Sequence, residues 1–231
     1  MNDEIGDVPS SIDFRSMIDA RDWANTAMTK RPWRTEFFVR IAEALAGLAG
    51  TQPSILELGS GPGFLAEHLL TAFPGSTYAA LDFSPVMNEL AKERLGVLAN
   101  RVVFIERDFR ALDWSHALPM VDAVVTVQAV HELRHKRHAS SFYRPIRPLL
   151  KRRGMLLACD HFAGEHGMSD SALFMTPEEH VAAIREGGFS NVDSLMIKGG
   201  LVLVRGTTPD SSPYQDILLD QPGQSGGARP I

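Results

Sequence analysis

The chain has 231 residues, 44% hydrophobic and 22% charged, with 23 Lys and Arg against 28 Asp and Glu for a formal net charge of −5. That length suits one globular domain with extensions, and the mildly acidic balance gives no reason to expect nucleic acid or an anionic membrane as partner. The one cysteine, Cys159, forms no internal disulfide and suits a reducing cytoplasm. Its neighbours Met155 to Ala158 are apolar, so it reads as a buried, inert thiol. Met1-Asn2-Asp3-Glu4 is acidic where a signal peptide would be basic, and no apolar run reaches the length of a membrane span; a soluble cytoplasmic protein is expected.

In chain order, Ile12 to Met28 has scattered apolar residues that fit one short helix. Thr35–Ala49 is a stronger helix, with Phe37, Phe38, Ile41, Leu45 and Leu48 in one stripe and Glu36, Arg40 and Glu43 opposite; Gly50 and Pro53 stop it. Between them lies the basic turn Lys30-Arg31-Pro32-Trp33-Arg34. Ile55–Leu58 reads as a buried strand, followed by a helix over 62–73. Thr77–Leu81 is a strand ending in Asp82, and Ser84 caps a helix to about Gly96 with Pro85 at its first position. Arg101–Glu106 and Val121–Val127 are strands, and 138–151 reads as a helix shortened or kinked by Pro145 and Pro148. Gly154–Cys159 is a strand ending at Asp160. Thr176-Pro177-Glu178-Glu179 is a capping box opening a helix that Gly187-Gly188 closes. Val192–Ile197 and Leu201–Arg205 form a hairpin across Gly199-Gly200, and the Pro-, Gly-, Ser- and Gln-rich 207–231 reads as a disordered tail.

This order predicts a Rossmann-like α/β fold: an open, mostly parallel seven-stranded sheet with an antiparallel edge strand and helices on both faces. Its organising stretch is Ser54 to Leu65, where an apolar strand breaks into glycines and resumes at helical spacing. Such a loop leaves free N–H groups at a helix start and little side-chain bulk above them. A dinucleotide-binding loop would follow Gly59 and Gly61 with glycine at 64; this chain has Phe64, and its third glycine is Gly63. E-x-G-x-G-x-G at 57–63 instead resembles motif I of the class I S-adenosylmethionine-dependent methyltransferases, and the resemblance extends over about 50–206.

That resemblance implies an N-terminal helical cover at 1–50, a methyltransferase domain at 51–206 and a small-molecule methyl acceptor. It implies S-adenosyl-L-methionine as cofactor. Glu57 would anchor the loop and help receive the cationic amino group of the methionine moiety, over backbone at Gly59, Ser60, Gly61 and Gly63. Asp82 matches the family's second-strand acid for the ribose hydroxyls, with Phe83 flanking the adenine; it also reads as an acid at a helix start. Asp108 and Phe109 match the adenine position, unless Arg107 and Arg110 pair with Asp108. Gln128-Ala129-Val130-His131-Glu132-Leu133 resembles the family's fourth-strand stretch, with Gln128 backbone facing the cofactor and His131 the transferred methyl. Trp33 or Arg34 in the basic turn would touch the cofactor from the N-terminal cover.

The chemistry is a displacement at a sulfonium with a neutral leaving group, so the enzyme supplies alignment and a dry site and needs a base only if the acceptor loses a proton. His131 is the candidate base, because an imidazole titrates near working pH; His161 is second and His166 stands behind it. Two alternatives remain at this point. His131-Glu132-Leu133-Arg134-His135 fits the H-E-x-x-H zinc motif, though it follows a strand directly and basic residues flank it. The domain could also bind the cofactor without catalysis, as a partner subunit. The segment 161–175 and the N-terminal cover would set acceptor choice, and their size suits a small molecule.

Overall fold

The computed structural model describes residues 6–48 and 52–207. Two helices, α1 (Met17–Lys30) and α2 (Arg34–Ala46), precede the first strand β1 (Ser54–Leu58). Strands and helices then alternate: α3 (Phe64–Ala72), β2 (Thr77–Asp82), α4 (Pro85–Leu95), β3 (Val102–Glu106) and β4 (Val121–Val127). The short α5 (Ala139–Tyr143) leads to β5 (Leu150–His161), α6 (Pro177–Glu186), β6 (Asn191–Lys198) and β7 (Leu201–Thr207). Ser84 caps α4 by accepting from the Met87 amide, with Pro85 at N1, and Thr176 with Glu179 forms the complete capping box of α6, as their sequences require.

The seven strands lie in the order β3-β2-β1-β4-β5-β7-β6. β1 to β5 are mutually parallel, and β7 runs antiparallel to both β5 and β6. The antiparallel edge is therefore a hairpin whose second strand inserts between β5 and the outer β6. The order reverses between β1 and β4, which is where the carboxyl ends of parallel strands open a crevice.

Alternation along the buried strands divides the core into two faces. Leu56, Leu58, Val124, Leu156 and Ala158 pack with α5 and α6 through Phe142, Tyr143, Ala183 and Ile184. Ile55, Ala123, Val125, Leu157 and Cys159 pack against Phe37, Phe38, Ile41 and Leu45 of α2 and Leu65 and Leu69 of α3. Each large apolar side chain on that α2 stripe contributes about 1.5–3 kcal/mol by burial, so α2 is held to the domain by its pattern. α1 packs on α4 through Ala20, Ala24, Met87 and Leu90. Cys159 is buried with its thiol pushed well up by burial.

Two boundaries differ from expectation. The predicted helix over 138–151 is only α5 followed by a 3-10 helix over Arg144–Leu149, and Leu150 already belongs to β5. Pro145 and Pro148 remove the donors an α-helix would use there. Thr207, assigned to the tail, ends β7 opposite Met155 and Asn191; 208–231 lies outside the described residues. No helix of the described residues is long and apolar enough to cross a membrane.

Candidate active site

The glycine loop is held by the neighbouring strand. The amides of Gly59 and Ser60 both donate to the Leu81 carbonyl (2.8 and 3.1 Å), and the Gly61 amide donates to Asp82 Oδ2 at 2.8 Å. Gly59 has φ +68°, and a Cβ there would lie 2.4 Å from the Ala129 Cβ, so only glycine lets β1 turn beside the end of β4. Gly61, at φ +53°, faces open space. Gly63 instead caps α3 and backs onto Ala91 of α4.

A cleft of about 270 Å³ opens above this loop, lined by Glu57, Gly59, Ser60, Gly61, Asp82 and Phe83 along β1 and β2. Phe109, Gln128, His131, His161 and Phe174 close its other side, and Arg34 with Phe38 lines it from α2. Ten of the twelve expected site residues thus share one cleft. Gly63 does not line it, and neither does Asp108. The Asp108 carboxylate is taken bidentately by Arg110 (3.0 Å from Nε to Oδ1, 2.7 Å from a terminal nitrogen to Oδ2), the pairing its flanking arginines foreshadowed. Arg107 is spent on the Trp114 and His116 carbonyls.

Burial governs the acids in the cleft. Glu57 is 2% exposed, it accepts a hydrogen bond from Tyr78 Oη (2.8 Å), and desolvation pushes its carboxyl up to about 8. Asp82 accepts from the Ser84 amide as well as from Gly61, so it serves both the helix start and the loop; burial still raises it to about 6. The Phe83 ring carries the guanidinium of Arg15 at 5.1 Å and of Arg110 at 5.8 Å.

Arg34 is the opposite case. It is 3% exposed, its Nε has no hydrogen-bond partner among the described residues, and burial followed by repulsion from Arg31 lowers it to about 10. Its recorded contacts are the Met28 sulfur at 3.9 Å and the Trp23 ring at 5.7 Å. Trp33, the other candidate in the basic turn, does not line this cleft.

At the far end of the cleft, His131 Nδ1 lies 2.7 Å from Asp160 Oδ1, and the His131 amide donates to Asp160 Oδ2 at 2.8 Å. Nε2 faces Glu132 Oε1 at 3.4 Å. Burial opposes the charge, but the two carboxylates outweigh it and raise His131 to about 10, while Asp160 is held well below the usual carboxylate range. The carboxylates thus favour the imidazolium, where the sequence leads us to expect an imidazole titrating near neutrality. His161 differs. Burial lowers it to about 3, its Nε2 lies 2.7 Å from Gln128 Nε2, and its Nδ1 is buried without a partner. Gln128 itself sits at φ +54° and its Oε1 is also unpartnered. The rings of His131, His161 and Phe174 are mutually 5.4–5.8 Å apart. His166 is exposed and lies outside this cleft.

The H-E-x-x-H residues do not share a helix. His131 to Leu133 lie in a 3-10 turn, Arg134 is left-handed at φ +66°, and His135 Nδ1 accepts the Arg137 amide at 3.1 Å. No group of three His, Cys, Asp or Glu side chains among the described residues is arranged to hold a metal ion.

Three features escaped sequence reasoning. Asp160 was seen only as a strand end, although it has the signature that singled out Asp82, an acid closing an apolar strand. Arg134 donates to the carbonyls of Val8 (2.7 Å) and Pro9 (2.6 Å). It thereby draws the segment before α1 across the cleft, where Ser10, Ile12 and Phe14 line it. No local pattern in 6–16 announces that path.

The reversal of strand order, the glycine loop and the acid after β2 define a Rossmann-like ligand-binding domain. Residues 56–156 match the family model described as a methyltransferase domain. Over 55 residues, 24% of this chain, the sequence is 44% identical to malonyl-[acyl-carrier protein] O-methyltransferase 1 of Ilyobacter polytropus; the match spans 20% of that protein. The fold is similar to human N-acetylserotonin methyltransferase in complex with SAM (TM-score 0.63, 18% identity, 84% of this chain and 57% of that one). It is likewise similar to an O-methyltransferase family protein from Burkholderia thailandensis (TM-score 0.65, 19% identity, 84% and 61%). This chain spans less than two thirds of either structure. The likeness to these structures is one of fold, and the match to the methyltransferase domain family lies within its strand-helix core.

Proposed function

We propose that the chain transfers a methyl group from S-adenosylmethionine to a small-molecule acceptor. The observation that carries this reading is one continuous cleft joining the glycine loop and Asp82 to His131. The residues present fit the cofactor by charge. Glu57, which burial keeps protonated up to about pH 8, regains a reason to ionise beside an ammonium group, and the Arg34 guanidinium, whose Nε has no hydrogen-bond partner among the described residues, suits the carboxylate of the same zwitterion. Asp82 has oxygen lone pairs for ribose hydroxyls while Gly61 and Ser84 hold it in place. Phe83 and Phe109 offer apolar surface for the base.

When bound, the cofactor supplies an electrophilic methyl on a sulfonium. The chain's part is to orient the acceptor and keep water out. Asp160 fixes the His131 ring through Nδ1, with Nε2 turned toward Glu132, and His161 and the Gln128 amide line the same end of the cleft and offer an acceptor polar contacts. His131 takes an acceptor proton only from its neutral form, so base catalysis here strengthens as pH rises towards 10.

Titration calorimetry with S-adenosylhomocysteine tests the reading. Saturable binding to one site is expected. Folded protein that binds none at millimolar ligand would remove the basis for it.

A further inference from the structure

Beside His161 the cleft adjoins a second, more open chamber of about 340 Å³. Lys30 and Arg31 of the α1–α2 turn, His166 of the loop after β5 and the Gly199-Gly200 turn of the hairpin enclose it. Arg31, His161 and Met168 line both chambers, so the two communicate beside the methyl-transfer end.

The charge here is one-sided. No acidic residue lines the chamber. Neither Lys30 nor Arg31 forms an ion pair with a carboxylate among the described residues. The nearby acid on α2, Glu36, is already held by Lys198 at 2.6 and 2.8 Å. Arg31 also lies close enough to Arg34 to lower its pKa, so two cations crowd one wall with nothing between them to neutralise either. Two of its lining residues carry a buried ring nitrogen with no hydrogen-bond partner among the described residues: Trp33 Nε1, whose ring edge rests on Gly199, and His161 Nδ1. Buried polar groups ordinarily find partners, and an arginine at a concave mouth is suited to bidentate recognition of carboxylate or phosphate.

We propose that this chamber receives the anionic end of the methyl acceptor, a carboxylate or a phosphate, while the acceptor's nucleophile reaches past His161 to the His131 end. The proposal rests on the methyltransferase reading and narrows its acceptor class to elongated small anions. Lys30 and Arg31 set that preference, and Arg34 answers the cofactor.

Inorganic phosphate and succinate are titrated in parallel, by calorimetry, into protein saturated with S-adenosylhomocysteine. One of the two should bind at a single site at least fivefold more tightly, which separates a phosphorylated from a carboxylate acceptor. Lys30→Ala, at an exposed position, and Arg31→Ala should each weaken that binding about tenfold. Arg31→Lys should recover part of it. In Lys30→Ala, which does not line the cofactor cleft, S-adenosylhomocysteine affinity should stay within threefold of the original. Arg152→Ala, an equal charge loss on a remote exposed surface, should change nothing. Equal weakening in that control would mean an adventitious anion only and overturn the proposal. So would undiminished anion binding in Arg31→Ala, or no anion binding at all while S-adenosylhomocysteine binds. Failure of S-adenosylhomocysteine itself to bind would instead sink the reading beneath it.

Discussion

His131 and Asp160, 29 residues apart in the chain, are joined twice: ring Nδ1 to Oδ1 at 2.7 Å and backbone amide to Oδ2 at 2.8 Å. One carboxylate therefore fixes the position, the ring orientation and the charge of the imidazole at the end of β4. The same carboxylate accepts the His161 amide at 2.7 Å, so both candidate histidines hang on the last turn of β5.

Removing that charge should lower the His131 pKa. In Asp160→Asn, the ring protons of His131 should titrate well below the value of about 10 that the two carboxylates impose, within reach of the ordinary imidazole range near 6.5. Histidine proton NMR across pH 5–10 reads this without any acceptor. An unchanged titration would assign the raised pKa to Glu132 instead. Once an acceptor is known, His131→Ala should lower turnover and leave cofactor affinity intact.

Stability without ligand should fall as pH rises. Glu57, at about 8 against an ordinary 4.5, and Asp82, at about 6 against 3.8, both have raised folded-state values. A group of this kind stabilises the fold most fully below its unfolded pKa and loses that contribution as pH climbs through its folded one. The window is thus about pH 4 to 8. Each unit over which Glu57 stays protonated costs about 1.4 kcal/mol, or roughly 2–4 °C in Tm at this size. Glu57→Gln should flatten the decline between pH 5 and 8 in a melting series. S-adenosylhomocysteine should flatten it too, by supplying an ammonium partner.

Two glycines of the loop should separate fold from ligand. Gly59→Ala meets the Ala129 Cβ at 2.4 Å and a positive φ, and should cost roughly 2–4 kcal/mol of stability. Gly61→Ala meets nothing within 4 Å and should cost only its backbone strain, about 1–2 kcal/mol. Its new methyl stands where the ligand approaches, so S-adenosylhomocysteine affinity should drop at least tenfold. Melting curves and calorimetry on the two variants would show the reverse order if Gly61 packed against protein.

Asp82→Asn should weaken S-adenosylhomocysteine binding about 10- to 100-fold, since hydrogen bonds to a charged acceptor are worth about 1.5–3 kcal/mol each. Full affinity in this variant would move the ribose contact elsewhere.

Arg134→Ala should loosen the segment that crosses the cleft. Its two side-chain bonds to the Val8 and Pro9 carbonyls are lost, while the Val8 amide keeps the Arg134 carbonyl (2.8 Å) and Asp7 keeps Arg137 and His138. Hydrogen exchange of residues 7–14 should quicken about tenfold, equivalent to 1.4 kcal/mol, and S-adenosylhomocysteine should dissociate faster. Exchange at the original rate would mean that the segment is held by its other contacts, those of Asp7, the Val8 amide and Phe14, and not by the Arg134 guanidinium.

Much of the frame was written locally. Strand runs such as Val121–Val127, the Ser84-Pro85 start of α4, the Thr176–Glu179 capping box and the glycine spacing at 57–63 each act through the backbone of a few neighbouring residues. A single sequence suffices to read such signals, and together they dictated the alternating α/β order and the location of the ligand loop. The prolines at 145 and 148 were visible too, but how far they shorten a helix depends on where β5 begins. What only the tertiary structure decided was the pairing of residues distant in the chain. Asp160 meets His131, Arg110 claims Asp108, Arg134 pulls residues 7–14 over the cleft, and α2 buries Arg34 with no carboxylate paired to it among the described residues. Charge, burial and hydrogen bonding at those positions depend on what other elements bring within about 4 Å, the range at which a low-dielectric contact reshapes a pKa. No local spacing encodes that neighbourhood.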